Sequence, residues 1–341
     1  MLVIDGSRGE GGGQVLRSAL ALSLCLGLPF KIINIRIRRP RPGLQPQHLA
    51  AVNAAAAISH ARLQGAELHS TELHFAPRQV ESGNYKFDIG TAGSTSLVIQ
   101  TILPALTLSS HPSTLTLTGG THNPMAPTYE YLHYAFLPLL RRMGPGIQSR
   151  LIRPGFYPRG GGQVRVDVQP VARLDPLQLP QRGQIIHQYA RILSSRLPQH
   201  IADREWQVIR QQLHYQDDQR ELVCADDALS PGNAVSLIVE ARNLTTVFSA
   251  LGKPGLPAEQ VAQAAVTDLE NYLASQVPVD PHLADQLLLP IALAGEGSFQ
   301  TILPTAHTRT NMEIIAMFTG THFTCRELAP NHWEISLICA R

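Results

Sequence analysis

Two short segments hold the residue types that phosphate chemistry needs. In DGSRGEGGGQVLRS (5–18) an apolar strand at 2–4 runs into glycines with one carboxylate among them, then opens directly into a helix. Glycine lets backbone N–H groups approach an anion closely, and the following helix aims its positive end at the same place. Neither G-x-x-x-x-G-K-[ST] nor a spaced G-x-G-x-x-G with its ribose-binding acid fits these letters. Taken alone, the loop therefore reads equally as a phosphate cradle or a tight turn. Glu10 adds chemistry to it, because a lone acid there repels a bare anion but suits a divalent cation that itself grips phosphates.

The second segment, PTAHTRTN (304–311), places His307 just after a strand and immediately before a helix, with Thr308, Thr310 and Asn311 available to cap it. A helix N-terminus favours the neutral imidazole, the form able to attack phosphorus. The competing reading is an ordinary surface or capping histidine. None of the other histidines shows an H-x-x-x-H or comparable metal spacing. Arg36, Arg38, Arg39 and Arg41 form a local basic cluster that reads either as a polyanion patch or as a solvated basic strand edge.

Composition narrows the field. A chain of 341 residues with 44% hydrophobic residues fills one large domain or two, and a formal charge of +2 is too small for a nucleic-acid protein by global balance. Any polyanion site is therefore local. Cys25, Cys224, Cys325 and Cys339 show neither C-x-x-C pairing nor a secreted scaffold's density, which points to a reducing, cytoplasmic setting. The most apolar stretch, 18–30, is too short to span a membrane and lacks a charged leader. Nothing in the letters decides for or against a homodimer.

The elements that must position these groups recur as one pattern three times, although the letters barely match. The first copy has a helix over 13–26, a strand over 30–37, a helix over 46–62 and strands near 66–76. In the second, GTAGSTS (90–96) leads to a helix over 94–109, a strand over 113–119, a helix over 127–143 and strands near 147–168. The third has a helix over 282–294, a strand over 298–303, a helix over 309–318 and strands over 322–328 and 332–340. Antiparallel strand pairs beside helices imply an α+β fold rather than a doubly wound parallel sheet.

Residues 181–277 break the pattern and concentrate acid at Asp217, Asp218, Asp226 and Asp227. They read as an inserted small α+β domain with strands at 184–193, 220–225, 234–242 and 245–251 and helices at 199–213 and 257–275. The larger domain is then 1–180 together with 278–341. Proline- and glycine-rich edges near Pro180 and Pro278 would serve as hinges.

Eight blocks in register, DGSRGEGGGQVLRSAL, RPRPGLQPQHLAAV, GTAGSTSLVIQTILPAL, GGTHNPMAPTYEYL, GFYPRGGGQV, SPGNAVSLIVE, LADQLLLPIALAG and HTRTNMEII, resemble the RNA 3′-terminal phosphate cyclase family in its bacterial form, from about residue 2 to 341. The resemblance implies a large domain of three βαβαββ units, like the C-terminal domain of translation initiation factor 3, plus a small insert domain. It also implies a ligase activity: ATP-dependent conversion of an RNA 3′-phosphate to a 2′,3′-cyclic phosphate. In that scheme His307 becomes adenylylated, the RNA end takes the AMP, and the 2′-hydroxyl closes the ring.

The resemblance carries further roles residue by residue. Glu10 matches a ligand of Mg²⁺ or Mn²⁺ on the ATP phosphates, and Gln14 and Arg17 face the same site from the first helix. Arg36, Arg39, Gln47 and His48 match the pocket for the RNA terminal phosphate, where arginine's fork suits phosphate oxygens. Gln100 matches a nucleotide-binding glutamine, while Pro127, His282, Leu283, Ala284, Asp285 and Gln286 match positions around adenine and ribose. Two positions depart from relatives: His282 replaces a usual tyrosine, weakening stacking on adenine, and His122 stands where a carboxylate is common. Two other readings stay open, a non-catalytic cyclase-like RNA-binding or ribosome-assembly factor, and the same nucleotidyl transfer on other polynucleotide phosphate ends.

Overall fold

A computed structural model describes residues 1–9 and 11–337. The chain begins with strand Leu2–Asp5 (β1) and helix Gly13–Leu26 (α1), which Gly27 ends in the left-handed conformation at φ 68°. Strand Phe30–Ile33 (β2), helix Pro46–Ser59 (α2) and strands Arg62–Gln64 (β3) and Leu73–Ala76 (β4) follow. They form one sheet in the order β1-β2-β4-β3, with β1 and β2 parallel and the other pairs antiparallel. Phe30, Ile32, Leu73 and Phe75 alternate inward on it, so period-two patterning sets which face meets the helices.

The next stretch comprises strand Asn84–Asp88 (β5), helix Thr95–Thr107 (α3), strand Ser113–Gly119 (β6), a π-helical turn Tyr131–Phe136 running into helix Leu137–Arg142 (α4), and strands Gly146–Arg153 (β7) and Gly162–Gln169 (β8). Its sheet order is β5-β6-β8-β7, again with the first pair parallel and the rest antiparallel. After strand Leu177–Leu179 (β9) come strand Ile185–Ser195 (β10), helix Gln199–Leu213 (α5), strands Arg220–Cys224 (β11), Gly232–Ala241 (β12) and Thr245–Leu251 (β13), and helix Ala258–Ser275 (α6). This segment has its own sheet, β11-β10-β12-β13, and its own core around Trp206, Ile209, Leu237 and Val266. Arg191 on β10 reaches the buried Glu130 just before the π turn at 3.6 Å, and Thr128 meets Ser249 at 3.2 Å.

Helix Pro281–Ala294 (α7), strand Gly297–Thr301 (β14), helix Ala306–Thr319 (α8) and strands Thr324–Ala329 (β15) and His332–Leu337 (β16) complete the described chain. Here the order is β15-β16-β14-β9, with β9 parallel to β14. The described residues form a mixed α+β architecture with four mixed sheets. Helix α1 packs against α2, α3 and α8, and α7 packs on α8, so helices from distant parts of the chain meet at one place.

Several boundaries differ from the sequence expectation, each for a local reason. The strand expected over 30–37 stops at Ile33, because Asn34 (φ 56°) and Arg36 (φ 53°) turn left-handed. The arginines therefore lie in a turn, not on a strand edge. The helix expected to reach 62 stops at Ser59, where His60 adopts φ 47°. The helix expected over 127–143 includes the π turn, and the one expected over 309–318 starts at Ala306. Residues 338–340 of the last expected strand, and Cys339 with them, lie outside the described residues. Cys25, Cys224 and Cys325 are free thiols.

Candidate active site

The glycine loop is folded tightly onto the first sheet. Gly6 N–H donates to Ile33 O (2.7 Å), and Asp5 Oδ1 accepts from Ser7 N–H (3.0 Å) and from Asn34 Nδ2 (3.2 Å). Two glycines leave no room for a side chain. Gly9 sits at φ 53°, and a Cβ there would strike Thr310 Oγ1 of α8; at Gly13 it would strike the His48 ring of α2. The loop is thus wedged between the first, second and last of the helices that meet here. Glu10, the expected metal ligand, lies outside the described residues.

A chain of hydrogen bonds runs across this junction. His307 Nδ1 meets Gln14 Oε1 at 2.7 Å, and Gln14 Nε2 donates to Asp285. A carboxylate only accepts, so Gln14 must aim its amide N–H₂ at Asp285 and its oxygen at His307. His307 Nδ1 then carries the ring proton, and in the neutral ring Nε2 carries the lone pair. His307 is the second residue of α8, exposed, with Thr305 as the cap: Thr308 N–H donates to Thr305 Oγ1 at 3.1 Å. The cap is therefore Thr305 rather than Thr308, Thr310 or Asn311. Asn311 instead donates to Asp285 O (2.9 Å) and accepts from Ser18 Oγ (2.7 Å). Burial raises the Asp285 carboxyl above the ordinary aspartate range, against the pull of His307, Asn311, Gln14 and Arg17.

Basic groups gather on the other side of the loop. Arg17 is pressed down to about 10 by burial, with Asp285 opposing. His48 opens α2 in a reciprocal cap with Gln45, whose N–H donates to His48 Nδ1 at 3.2 Å. Burial, then Arg17 and Arg36, push His48 down to about 3, so it stays neutral with its proton on Nε2, facing Gly13. Arg36 donates to Gly43 O (3.1 Å) and to Arg41 O, knotting the turn, and the Arg39 guanidinium lies over Gly12. Arg36 and Arg39 are half-buried here, whereas Arg38 and Arg41 are exposed. Gln47 Oε1 accepts from Ser94 N–H (2.8 Å), fixing the start of α3.

Gln100 on α3 donates to Gln286 Oε1 on α7 at 2.7 Å. Asp280 caps α7 by accepting from His282 N–H (2.9 Å) and Leu283 N–H (3.1 Å), and Tyr131 of the π turn donates to the same carboxylate (3.0 Å). Leu283 and Ala284 face the hydrophobic core, leaving Asp285 and Gln286 as the polar members of that run. His282 is exposed beside Asp280 and Asp268, and Pro127 is half-buried ahead of the π turn; neither joins the His307 network. His122 is buried, with Nε2 on Glu130 (2.7 Å) and Nδ1 on Thr121 (2.7 Å).

Sequence reading missed Ser18, and gave Asn311 only a capping role. A signal existed: Gln14 and Ser18, like His307 and Asn311, are four residues apart and share one helix face. Among the described residues no three His, Cys, Asp or Glu side chains cluster as a metal cage, and no helix is long and apolar enough to cross a membrane. A magnesium-like ion held by a single protein carboxylate and by phosphate oxygens needs no such cage.

Mixed α/β layers thus bring a glycine loop, a group of arginines and two helix-borne histidines, His48 and His307, to one junction. The match to known proteins is specific. The family model for RNA 3′-terminal phosphate cyclase covers residues 8–325. Proteins named RNA 3′-terminal phosphate cyclase are similar to this chain at 48% identity in Koribacter versatilis (96% of this chain, 92% of that protein) and 43% in Salmonella typhimurium (95% of each). A third, from Ectopseudomonas mendocina, is 46% identical over 93% of both. The chain belongs to the RNA 3′-terminal phosphate cyclase family.

Proposed function

We infer that this protein converts an RNA 3′-phosphate to a 2′,3′-cyclic phosphate at the expense of ATP, with His307 as the nucleophile. His307 Nε2 attacks the α-phosphorus of ATP; the N–P bond forms as the bond to pyrophosphate breaks. An oxygen of the RNA 3′-phosphate then takes the AMP, breaking the N–P bond. Finally the 2′-hydroxyl gives up its proton, attacks the activated phosphorus and expels AMP. Covalent catalysis suits the problem, because a phosphate dianion is a poor target until it carries a good leaving group.

The observation that carries this reading is the Asp285–Gln14–His307 chain, which favours the ring proton on Nδ1 and would leave Nε2 free to attack. Around it, Arg36, Arg39, Gln47 and the neutral His48 would hold the terminal phosphate, and Arg17 would face the nucleotide phosphates. Gln100, Pro127, His282, Leu283, Ala284, Asp285 and Gln286 would border the adenosine. Glu10 would hold Mg²⁺ or Mn²⁺, which when bound neutralises charge on the ATP phosphates. The matching pairings of the first three sheets in chain order, omitting β10–β13, support three βαβαββ units with an insert at 181–277. Free thiols suit a cytoplasmic setting.

The test is incubation with α-labelled ATP, a divalent metal and an RNA 3′-phosphate. Label should appear on His307 and the RNA should end in a cyclic phosphate, and both should vanish in His307→Ala. A labelled His307→Ala protein would sink the assignment. Turnover of a DNA 3′-phosphate or a 5′-phosphate end would widen the substrate range, since only ribose offers the 2′-hydroxyl for ring closure.

A further inference from the structure

The outward face of the β5-β6-β8-β7 sheet carries a row of residues in direct register across all its strands: Lys86, Thr116, Arg165 and Arg150. With neighbouring strands about 4.8 Å apart, the row is roughly 14 Å wide. A register shift after Leu151 brings Arg153 opposite Gln163, adding a further cation two positions along β8, towards the active site. Asp167 is held by the Arg165 fork at 2.9–3.1 Å and by Thr114 at 2.7 Å. Among the described residues no ion pair engages Lys86 or Arg150. A hollow of about 340 Å³ opens between β7 and β8, lined by Arg150, Arg165, Asp167 and Gln148 among others.

The other two sheets with this strand pattern differ. As cations, the strands of the first hold only Arg62 and Lys31, the latter paired with Glu72 at 2.7 Å; those of the third hold only Arg326, paired with Glu334 at 3.0 Å. Outward positions of the second sheet hold threonine, glutamine, four cations against the two carboxylates Asp88 and Asp167, and no aromatic ring, which suits a phosphodiester backbone rather than stacked bases. The face also leads into the active site. Strand β5 ends at Asp88, and a few residues on, Ser94 is gripped by Gln47 of the proposed phosphate pocket.

Resting on the cyclase reading, we propose that this sheet face is the track for the RNA strand upstream of its 3′-phosphate, gripped through its backbone without regard to sequence. The kinetic test compares the wild type with Lys86→Ala/Arg150→Ala on a long RNA 3′-phosphate and on a dinucleotide 3′-phosphate. For the long RNA, KM should rise about tenfold and the salt slope of binding should fall by about two, one for each lost phosphate contact. The dinucleotide, too short to reach the track, should be turned over unchanged. Unaltered KM on long RNA, or equal losses on both lengths, would overturn the track. If the wild type cyclises neither substrate, the cyclase reading fails instead. Filter binding of long RNA to both proteins then still decides the track, with equal affinities counting against it.

Discussion

His307 and Gln14 stand 293 positions apart in the chain, and their side chains meet at 2.7 Å. The contact is directional because Asp285 fixes the other end of the Gln14 amide. One glutamine therefore transmits the position of α7 to the histidine at the start of α8, and chooses which ring nitrogen is protonated.

Replacing Gln14 by alanine should lower the rate of adenylate transfer to the enzyme about 10- to 100-fold, the scale of a lost orienting hydrogen bond plus misplacement of the ring. Protein stability should change little, since Gln14 is only half-buried. Single-turnover labelling from α-labelled ATP gives the rate; an unchanged rate would mean that His307 is oriented by something other than this amide.

Gly9→Ala tests whether the loop must pack against α8. The substitution places a Cβ at φ 53° and into Thr310 Oγ1. The backbone cost alone is about 1–2 kcal/mol. Gly27→Ala is the control: it has φ 68° but open space around it, so it bears the backbone cost without the collision. Urea unfolding should show both losing stability, Gly9→Ala the more, and only Gly9→Ala should slow adenylylation. Equal adenylylation in the two variants would separate the loop's packing from the chemistry.

Much of the fold was legible in the letters. Helix α1 spans 13–26 as expected, and the strands of the 185–251 sheet begin and end within two residues of their expected bounds. The start of α8 was not, because PTAHTRTN offers four residues able to cap it and only tertiary partners decide among them. Thr310 turns back to Ala306 O (2.8 Å) and Asn311 is taken by Ser18 and Asp285, which leaves the cap to Thr305. Arg36 likewise looked like strand from composition, yet its guanidinium ties down the turn that its own backbone makes. Contacts such as Gln14 with Asp285 join residues 271 positions apart, and no local pattern encodes them.

His48 links the site to acid stability. Its proton affinity is pushed down to about 3 from the ordinary 6.5. Between those values the unfolded chain binds a proton that the folded protein refuses, so stability falls as pH drops from 6.5 and is unaffected by this residue above it. The loss should be about 2 kcal/mol between pH 7 and pH 5. Unfolding curves across that window should be flatter for His48→Asn; parallel pH dependences would show that His48 is protonated in the folded state.

The Asp280–Tyr131 pair should reveal itself by asymmetry. Both are buried, and Asp280 serves two tasks at once: it caps α7 through two backbone N–H groups and accepts the Tyr131 hydroxyl. Asp280→Ala removes the cap, worth about 1 kcal/mol, and strands a buried hydroxyl at a further cost of about 1–3 kcal/mol. Tyr131→Phe leaves the carboxylate with its two backbone donors and should cost only about 1 kcal/mol. Asp280→Asn keeps a capping oxygen and should fall between them. Because α7 carries Asp285 to Gln14, the same order should appear in the adenylylation rate, with Asp280→Ala slowest. A rate order that ignores the stability order would mean that α7 is held by its packing on α8 and not by its cap.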